Sequence, residues 1–319
     1  MSNLHDITFV SHVINMLYEI LPTEICHALA RLDINHVYEL RLRSNAPAVV
    51  CLGGKNFYLT KDGPSRDTKS AIFVSRNDLD AILHRASNYS IYAVNEQIKQ
   101  GFLTVKGGIR IGIAGEVVVE NNQIKTIKNI QALNIRVPHE VRNCSYPVLG
   151  YIFESPRPLK TLIISPPGAG KTTFLRDLAL QISYRYQLLN TLILDERGEI
   201  CATHLGENQL DVGHLTDVIS GSSKIYGFEN GIRSMRPDII ITDEVATASD
   251  IEMLRLAARS GVSVIASVHA SGIEEIRNKP YFKDIIAEQI FDRYIVLGVR
   301  DSAGHVMGVF DRNLKLLAM

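Results

Sequence analysis

Beyond Pro147 the sequence repeats one pattern, a short run that is apolar at nearly every position followed by a longer stretch with helical spacing of its apolar residues. The runs fall at 159–164, 191–194, 239–242, 262–268 and 294–297. A strand with no polar face has nothing to offer water, so these runs predict a mostly parallel sheet covered on both sides by the intervening helices. One such helix is expected over 250–260, closed by Gly261. This half of the chain reads as an α/β domain spanning 147–319.

The first half follows different rules. Val13, Ile14, Leu17 and Ile20, then Ile25 and Leu29 past Pro22, keep helical spacing and predict a pair of packed helices. Alternation over 36–60, with Val37, Leu40 and Leu42 and then Val49, Val50 and Leu52, predicts strands around turn signals at 45–47 and Gly53-Gly54. Ser75-Arg76-Asn77-Asp78 fits a capping box that opens a helix through Ile82 and Leu83. Residues 101–137 return to strands, with turns at Gly107-Gly108 and Asn121-Asn122. The expectation is a smaller α+β domain over 1–146, and 319 residues are enough to bury two cores.

Charge excludes little but lowers one class. Lysine plus arginine and aspartate plus glutamate number 34 each, so the basic footprint of a duplex-binding domain is missing and no nucleic-acid partner is expected. Cys26, Cys51, Cys144 and Cys201 lie far apart without a C-x-x-C pair, which indicates neither a zinc site nor a disulfide framework and fits a reducing cytosol. His5, Asp6 and His12 stand where a signal peptide needs a basic start and an unbroken apolar stretch, and no run reaches the roughly 18 apolar residues of a membrane span. A cytoplasmic protein is expected, held at a membrane only through another protein.

Directly after the first apolar run comes Ser165-Pro166-Pro167-Gly168-Ala169-Gly170-Lys171-Thr172-Thr173, and directly after that a helical stretch through Phe174, Leu175 and Leu178. Glycines here let the backbone curl until its N–H groups point at phosphate oxygens, and the helix N-terminus adds favourable partial charge. Pro167, Gly168, Ala169, Gly170, Lys171, Thr172 and Thr173 are therefore the candidate nucleotide-binding residues. Lys171 would reach the β and γ phosphates, and Thr172 would ligate magnesium through its hydroxyl. The pattern G-x-x-x-x-G-K-[ST] is broken at its first position by Ser165, which leaves an ordinary glycine-rich turn as the alternative.

Three further segments end strands in polar groups. Asp238–Glu244 is an apolar strand closed by two carboxylates; Asp243 is assigned to the metal and Glu244 to general-base activation of water, against the alternative of a helix cap or a solvated pair. His269 follows the run 262–268 and would project toward the same crevice, where it can sense a γ phosphate, orient water, or simply bond to local backbone. Asp195, Glu196, Arg197 and Glu199 close the run 191–194 and can organise contacts around magnesium or a neighbouring subunit, or form a solvated loop with internal ion pairs. Arg233 and Arg236 precede the acidic strand and either pair with those carboxylates or face phosphate across an interface.

Together these segments resemble the secretion ATPase superfamily that drives type II and type IV secretion and pilus machines, and within it a sporulation branch. The likeness is carried by the phosphate loop with Thr173-Phe174-Leu175-Arg176-Asp177, by Asp195-Glu196-Arg197-Gly198-Glu199-Ile200, by Arg233-Ser234-Met235-Arg236-Pro237-Asp238, by Asp243-Glu244 and by Val268-His269-Ala270. In the first half it rests on Glu39-Leu40-Arg41-Leu42-Arg43, Gln100-Gly101-Phe102-Leu103-Thr104, Gly107-Gly108-Ile109-Arg110-Ile111-Gly112 and Asn134-Ile135-Arg136-Val137. Ile109 stands where the family often has histidine, a departure that, with Ser165, bears on the finer site geometry.

The resemblance implies a RecA-like P-loop ATPase core of strand order 5-1-4-3-2 and a hexameric ring with ATP and magnesium at subunit boundaries. It also implies that arginines of the first domain complete the site. Arg110 and Arg136 are the candidates, each readable equally as a strand-surface charge. The implied activity is a magnesium-dependent ATP hydrolase on the cytoplasmic face of a membrane channel complex, powering assembly or transport between mother cell and forespore at engulfment. A nucleotide-gated platform with little turnover is the alternative, and a nucleic-acid motor or a small-metabolite kinase fits less well.

Overall fold

The computed structural model describes residues 12–154, 157–186, 188–299 and 303–319; His5 and Asp6, used above, lie outside them. The chain forms two compact units, one of residues up to Glu140 with Ala202–Gln209, the other of Val141–Cys201 with Leu210 onward.

In the first unit residues 12–20 are helical and are followed by α1 (Thr23–Leu29), the break falling at the expected proline. The strands of its main sheet are β1 (Val37–Arg43), β2 (Val49–Leu52), β3 (Lys55–Thr60), β4 (Gly63–Ser65), β5 (Phe102–Thr104), β6 (Arg110–Glu120) and β7 (Gln123–Arg136), in the order β4-β3-β2-β1-β7-β6-β5. Every pairing is antiparallel. The β6–β7 hairpin turns on Asn121 and Asn122, both left-handed at φ 51° and 61°, a state asparagine tolerates. Helix α2 (Arg76–Ala86) starts in the expected capping box, with Ser75 and Asp78 bonding reciprocally. Its face of Leu79, Ile82 and Leu83 packs with Leu40, Leu42, Ile111, Leu133 and Ile135 in one core. The segment Ala202–Gln209 joins this unit: His204 Nδ1 lies 3.1 Å from the Thr104 carbonyl, and the Gly107 N–H donates to Gln209 Oε1 at 2.8 Å.

The second unit is built on β8 (Thr161–Ser165), β9 (Thr191–Asp195), β10 (Thr216–Ser220), β11 (Ile239–Thr242), β12 (Ser263–His269), β13 (Arg293–Gly298), β14 (His305–Asp311) and β15 (Leu316–Ala318). Their order is β10-β9-β11-β12-β8-β13-β14-β15, with parallel pairing from β10 through β13 and antiparallel pairing beyond. The segment β13-β8-β12-β11-β9 reproduces the implied order 5-1-4-3-2. Successive residues of the apolar strands feed opposite cores: Leu162, Ile164, Leu192, Leu194 and Ile240 enter one, and Ile163, Ile193, Ile239 and Ile241 the other. Each strand is apolar throughout because both its faces are covered.

Four features depart from the sequence reading. Strand β10 adds an edge outside β9, and only part of each residue is covered there, so no apolar run announces it. The hairpin of β14 and β15 extends the other edge. The helix expected from residue 250 is α5 (Ala248–Arg259), because Thr247 caps it and Asp250 is the third residue of a capping box. As for the linker, the style of the sequence changes at 147, yet the backbone is already tied to the second unit before that point. Asp177, on α3 (Lys171–Arg185), accepts the Asn143 and Ser145 amides at 2.8 Å each and the Ser145 hydroxyl at 2.6 Å. Among the described residues no helix is long and apolar enough to cross a membrane.

Phe174 sits at the first turn of α3 with no exposed surface. Phe174→Ala is expected to cost about 3–5 kcal/mol, the range for a large side chain whose cavity cannot collapse. Guanidinium unfolding would measure it, and a loss below about 1 kcal/mol would show that the α3–sheet seam is not close-packed.

Candidate active site

Parallel strands deliver their carboxyl ends to one edge of the sheet, and four of those ends carry chemistry. Ser165 and His269 are register partners on β8 and β12, Thr242 faces Ala266 across β11 and β12, and Leu194 faces Thr242 across β9 and β11. The phosphate loop, the acidic pair, the histidine and Asp195 are thereby brought to one crevice at the carboxyl edge, the usual place for a ligand in such sheets.

The loop between β8 and α3 bends at Gly168 and Gly170, whose φ values are 80° and 84°. Lys171, the first residue of α3, is 7% exposed. Its ammonium lies 3.0 Å from Asp243 Oδ1 and 3.3 Å from His269 Nε2. The Thr172 hydroxyl donates to Asp243 Oδ2 at 3.2 Å. Asp243 also accepts the Ser267 hydroxyl at 2.7 Å and the Glu244 amide at 2.8 Å. Burial alone would raise the Asp243 carboxyl, but the Lys171 ammonium, the Ser267 hydroxyl and the Glu244 N–H outweigh it and hold the group below the ordinary carboxylate value.

Glu244 projects into the same crevice. One carboxylate oxygen lies 4.0 Å from His269 Nε2 and the other 3.3 Å from the Arg197 guanidinium. Lys171, Thr172, Asp243, Glu244, His269 and Arg197 thus form one constellation. Asp195 does something different from its neighbours. It is 1% exposed and turns inward to accept the amides of Glu199, Ile200 and Cys201 at 2.9, 3.1 and 2.8 Å. Burial raises its carboxyl above the ordinary value, with those three amides pulling the other way and nearby Asp243 reinforcing the rise. Arg176 of α3 donates to the Ile200 and Glu199 carbonyls, so the same loop is bolted from two elements. Glu196 stands 3.6 Å from Lys224. Arg233 and Arg236 are exposed at the end of α4 (Lys224–Met235), and among the described residues they pair with no carboxylate. Arg110 and Arg136 belong to the first unit, where they are directly opposed on β6 and β7. Arg110 lies 4.0 Å over the Phe102 ring and Arg136 3.6 Å from Glu39.

Sequence reasoning missed Ser267 and Lys224. Ser267 was findable, since it stands two residues before His269 on one strand and so shares its face; a single lysine at a helix start leaves no pattern. Magnesium can be tested against the donors present. In triphosphate sites it keeps water and phosphate oxygens and asks the protein for only one or two ligands. Thr172 and Asp243 supply a hydroxyl and a carboxylate side by side, and no cluster of three or more His, Cys, Asp or Glu able to hold a metal occurs among the described residues. The donors fit a metal that arrives with phosphates.

Because the native Asp243 value is depressed, its ionisation stabilises the fold above the unfolded value, about 3.9, and that contribution is lost as pH falls through the native value. Wild type is therefore expected to exceed Asp243→Asn in stability at neutral pH, with the gap closing below about pH 4. Thermal unfolding of both proteins from pH 7 to pH 3 checks this, and a constant gap would contradict it.

Residues 13–317 match the family model described as Sporulation stage III, protein AA. Stage III sporulation protein AA of Bacillus subtilis is 35% identical over 95% of this chain and 97% of its own length. Among solved structures the pilus retraction motor PilT, crystallised with bound ADP, superposes with a TM-score of 0.57 at 16% identity, covering 92% of this chain and 82% of that one. The Legionella pneumophila ATPase DotB superposes with a TM-score of 0.51 at 14% identity, covering 86% and 77%. At such identities the likeness establishes the fold, a RecA-like core joined to a separate N-terminal sheet domain. The match over nearly the whole sequence, on a site of this geometry, makes the chain a member of the Sporulation stage III, protein AA family.

Proposed function

We propose that this protein is a magnesium-dependent ATP hydrolase whose turnover powers assembly of, or transport through, a membrane-spanning channel during sporulation. The observation that carries the reading is the convergence of Lys171, Asp243, Glu244 and His269 at the carboxyl edge of the sheet. In this reading the 168–173 backbone cradles the triphosphate, and Lys171 leaves Asp243 to meet the β and γ phosphates. Thr172 and Asp243 hold magnesium, which supplies charge neutralisation on the phosphate oxygens. Glu244 takes the proton of the attacking water, and His269, within reach of both Lys171 and Glu244, orients that water or senses the γ phosphate.

The first unit contributes Arg110 and Arg136 to the γ phosphate. Their cross-strand opposition supports this role, since it sets two guanidiniums side by side on one sheet face, where a single anion can meet both. The protein works as a hexameric ring with nucleotide at subunit boundaries, recruited to the cytoplasmic face of the channel by membrane partners. Loss of the γ phosphate changes how the arginine-bearing unit is held and so converts hydrolysis into motion.

Lys171→Ala is expected to lose ATP binding, whereas Glu244→Gln keeps binding and loses turnover by about 10²–10⁴. ATPase assays with a fluorescent nucleotide titration, run beside sedimentation mass, read both. Tight binding by wild type without turnover at any protein concentration would point instead to a nucleotide-gated platform. Arg110→Ala and Arg136→Ala are each expected to lower kcat, by up to about 10³ for the one that meets the γ phosphate. Unchanged kcat in both variants would leave them as surface charges.

A further inference from the structure

The loop that follows β11 holds Glu244 in a costly backbone state. Its φ is 40°, in the left-handed region that a residue with a Cβ enters only when its surroundings fix it there. The fixing bonds come from three elements. The Glu244 N–H donates to Asp243 Oδ1 and to the Ser267 hydroxyl, and the Val245 N–H to the Ser267 carbonyl. The Ala246 and Thr247 amides both go to Asp250 Oδ2 at 2.9 Å, at the start of α5. The Glu244 carbonyl is taken by the ammonium of Lys224.

Lys224 is out of place as a helix residue. It opens α4 directly after its N-cap Ser223, where a cation meets the partial positive charge of the helix end. Its side chain is only 10% exposed, and its ammonium also lies 3.6 Å from Glu196 and 3.9 Å from Asp250. One buried cation therefore joins the loop after β9, the loop after β11 and the first turn of α5. It does so on the wall of a cavity of about 340 Å³ that Asp195, Asp243 and Glu244 also line.

We infer that Lys224 is a positioning residue for hydrolysis: by gripping the Glu244 carbonyl it locks the left-handed backbone that aims the Glu244 carboxylate at the crevice. Its charge also balances Glu196 and Asp250, so that the acidic groups can stand close together without driving the loop apart. This rests on Glu244 acting as the base, and it adds a residue that touches neither phosphate nor water.

The test compares wild type, Lys224→Met, Lys224→Arg, Glu244→Gln and the Lys224→Met/Glu244→Gln double variant in steady-state ATPase assays and nucleotide titrations. Lys224→Met is expected to lower kcat by about 10²-fold, the cost of misplacing a reacting group by about 1 Å, with KM and nucleotide affinity nearly unchanged. Lys224→Arg should recover much of the rate, and the double variant should be no slower than Glu244→Gln alone. Amide exchange supplies a readout independent of turnover: the 244–247 amides should exchange about tenfold faster in Lys224→Met while β12 is unchanged. Full activity of Lys224→Met beside an inactive Glu244→Gln would overturn the inference and leave the base assignment standing. A wild type without turnover would overturn the base assignment, and with it the catalytic role given to Lys224. Unchanged exchange at 244–247 would overturn the gripping role whatever the rates.

Discussion

A lysine ammonium that is almost sealed from water has to find negative charge, and in this fold Lys171 finds Asp243 at 3.0 Å. That contact sets the rest of the site. It requires the first residue of α3 and the residue just past β11 to meet, although β12 lies between β11 and β8 in the sheet. The meeting occurs because parallel strands end at one edge and because β12 presents Ser267 and His269 at its carboxyl end beside the pair. Ser267 donates to Asp243 and His269 approaches Lys171, so the intervening strand adds bonds to the pair instead of separating it. Breaking one side of such a buried pair leaves an uncompensated charge, and this makes the arrangement suited to exchange one anion for another. In the proposed function a phosphate tail takes the place of the carboxylate at Lys171, so that the ammonium is not left alone.

Around that pair the protein spends its buried polar groups on loops. Asp195 and Arg176 act on the same stretch from opposite sides, Asp195 collecting the amides of residues 199–201 and Arg176 the carbonyls of residues 199 and 200. Asp177, next to Arg176 on α3, does the same for the linker at residues 143–145. Helix α3, which opens at the phosphate loop, therefore also anchors the two backbone segments at which the second unit begins and at which it gives up residues 202–209. The three amide donors offset part of the cost of burying the Asp195 carboxylate, which burial still raises above its ordinary value.

The core of the second unit was legible because β8, β9, β11 and β12 are covered on both faces, and such strands must be apolar at every step. Strand β10 escaped for the same physical reason in reverse: at the sheet edge Asp217 and Ser220 remain exposed, so its sequence resembles a loop. In the first unit the paired asparagines at 121 and 122 and the Ser75–Asp78 box were readable because each turn or cap demands a particular residue type at one place. In the candidate site, residues that end an apolar strand were visible by position. What the sequence concealed was orientation: Asp195 and Glu196 are neighbours, yet one is buried against its own loop and the other points at Lys224. Lys224 itself was invisible, since its partners Glu196, Glu244 and Asp250 come from segments far from it in the sequence on either side and no local rule connects them.

The broken glycine pattern at Ser165 has a structural reading as well. Serine there is the last residue of β8, fully buried and in register with His269, and its hydroxyl donates to the Pro166 carbonyl at 3.0 Å. It is not among the residues with positive φ; those in the loop are Gly168 and Gly170. The first position of the pattern thus asks for a small strand residue, and serine satisfies it. Gly170 is under a stricter demand. A Cβ built on it would lie 2.6 Å from both the Ala303 Cβ and the Gly304 nitrogen, and Gly304 in turn donates its N–H to the Ala169 carbonyl at 2.8 Å. The turn entering β14 packs on the phosphate loop at Gly170, where there is no room for a side chain, so the curl of the loop is fixed from outside as well as by its own dihedral angles. A loop held in this way can tolerate the loss of one glycine at its start, but not of the glycine that precedes Lys171.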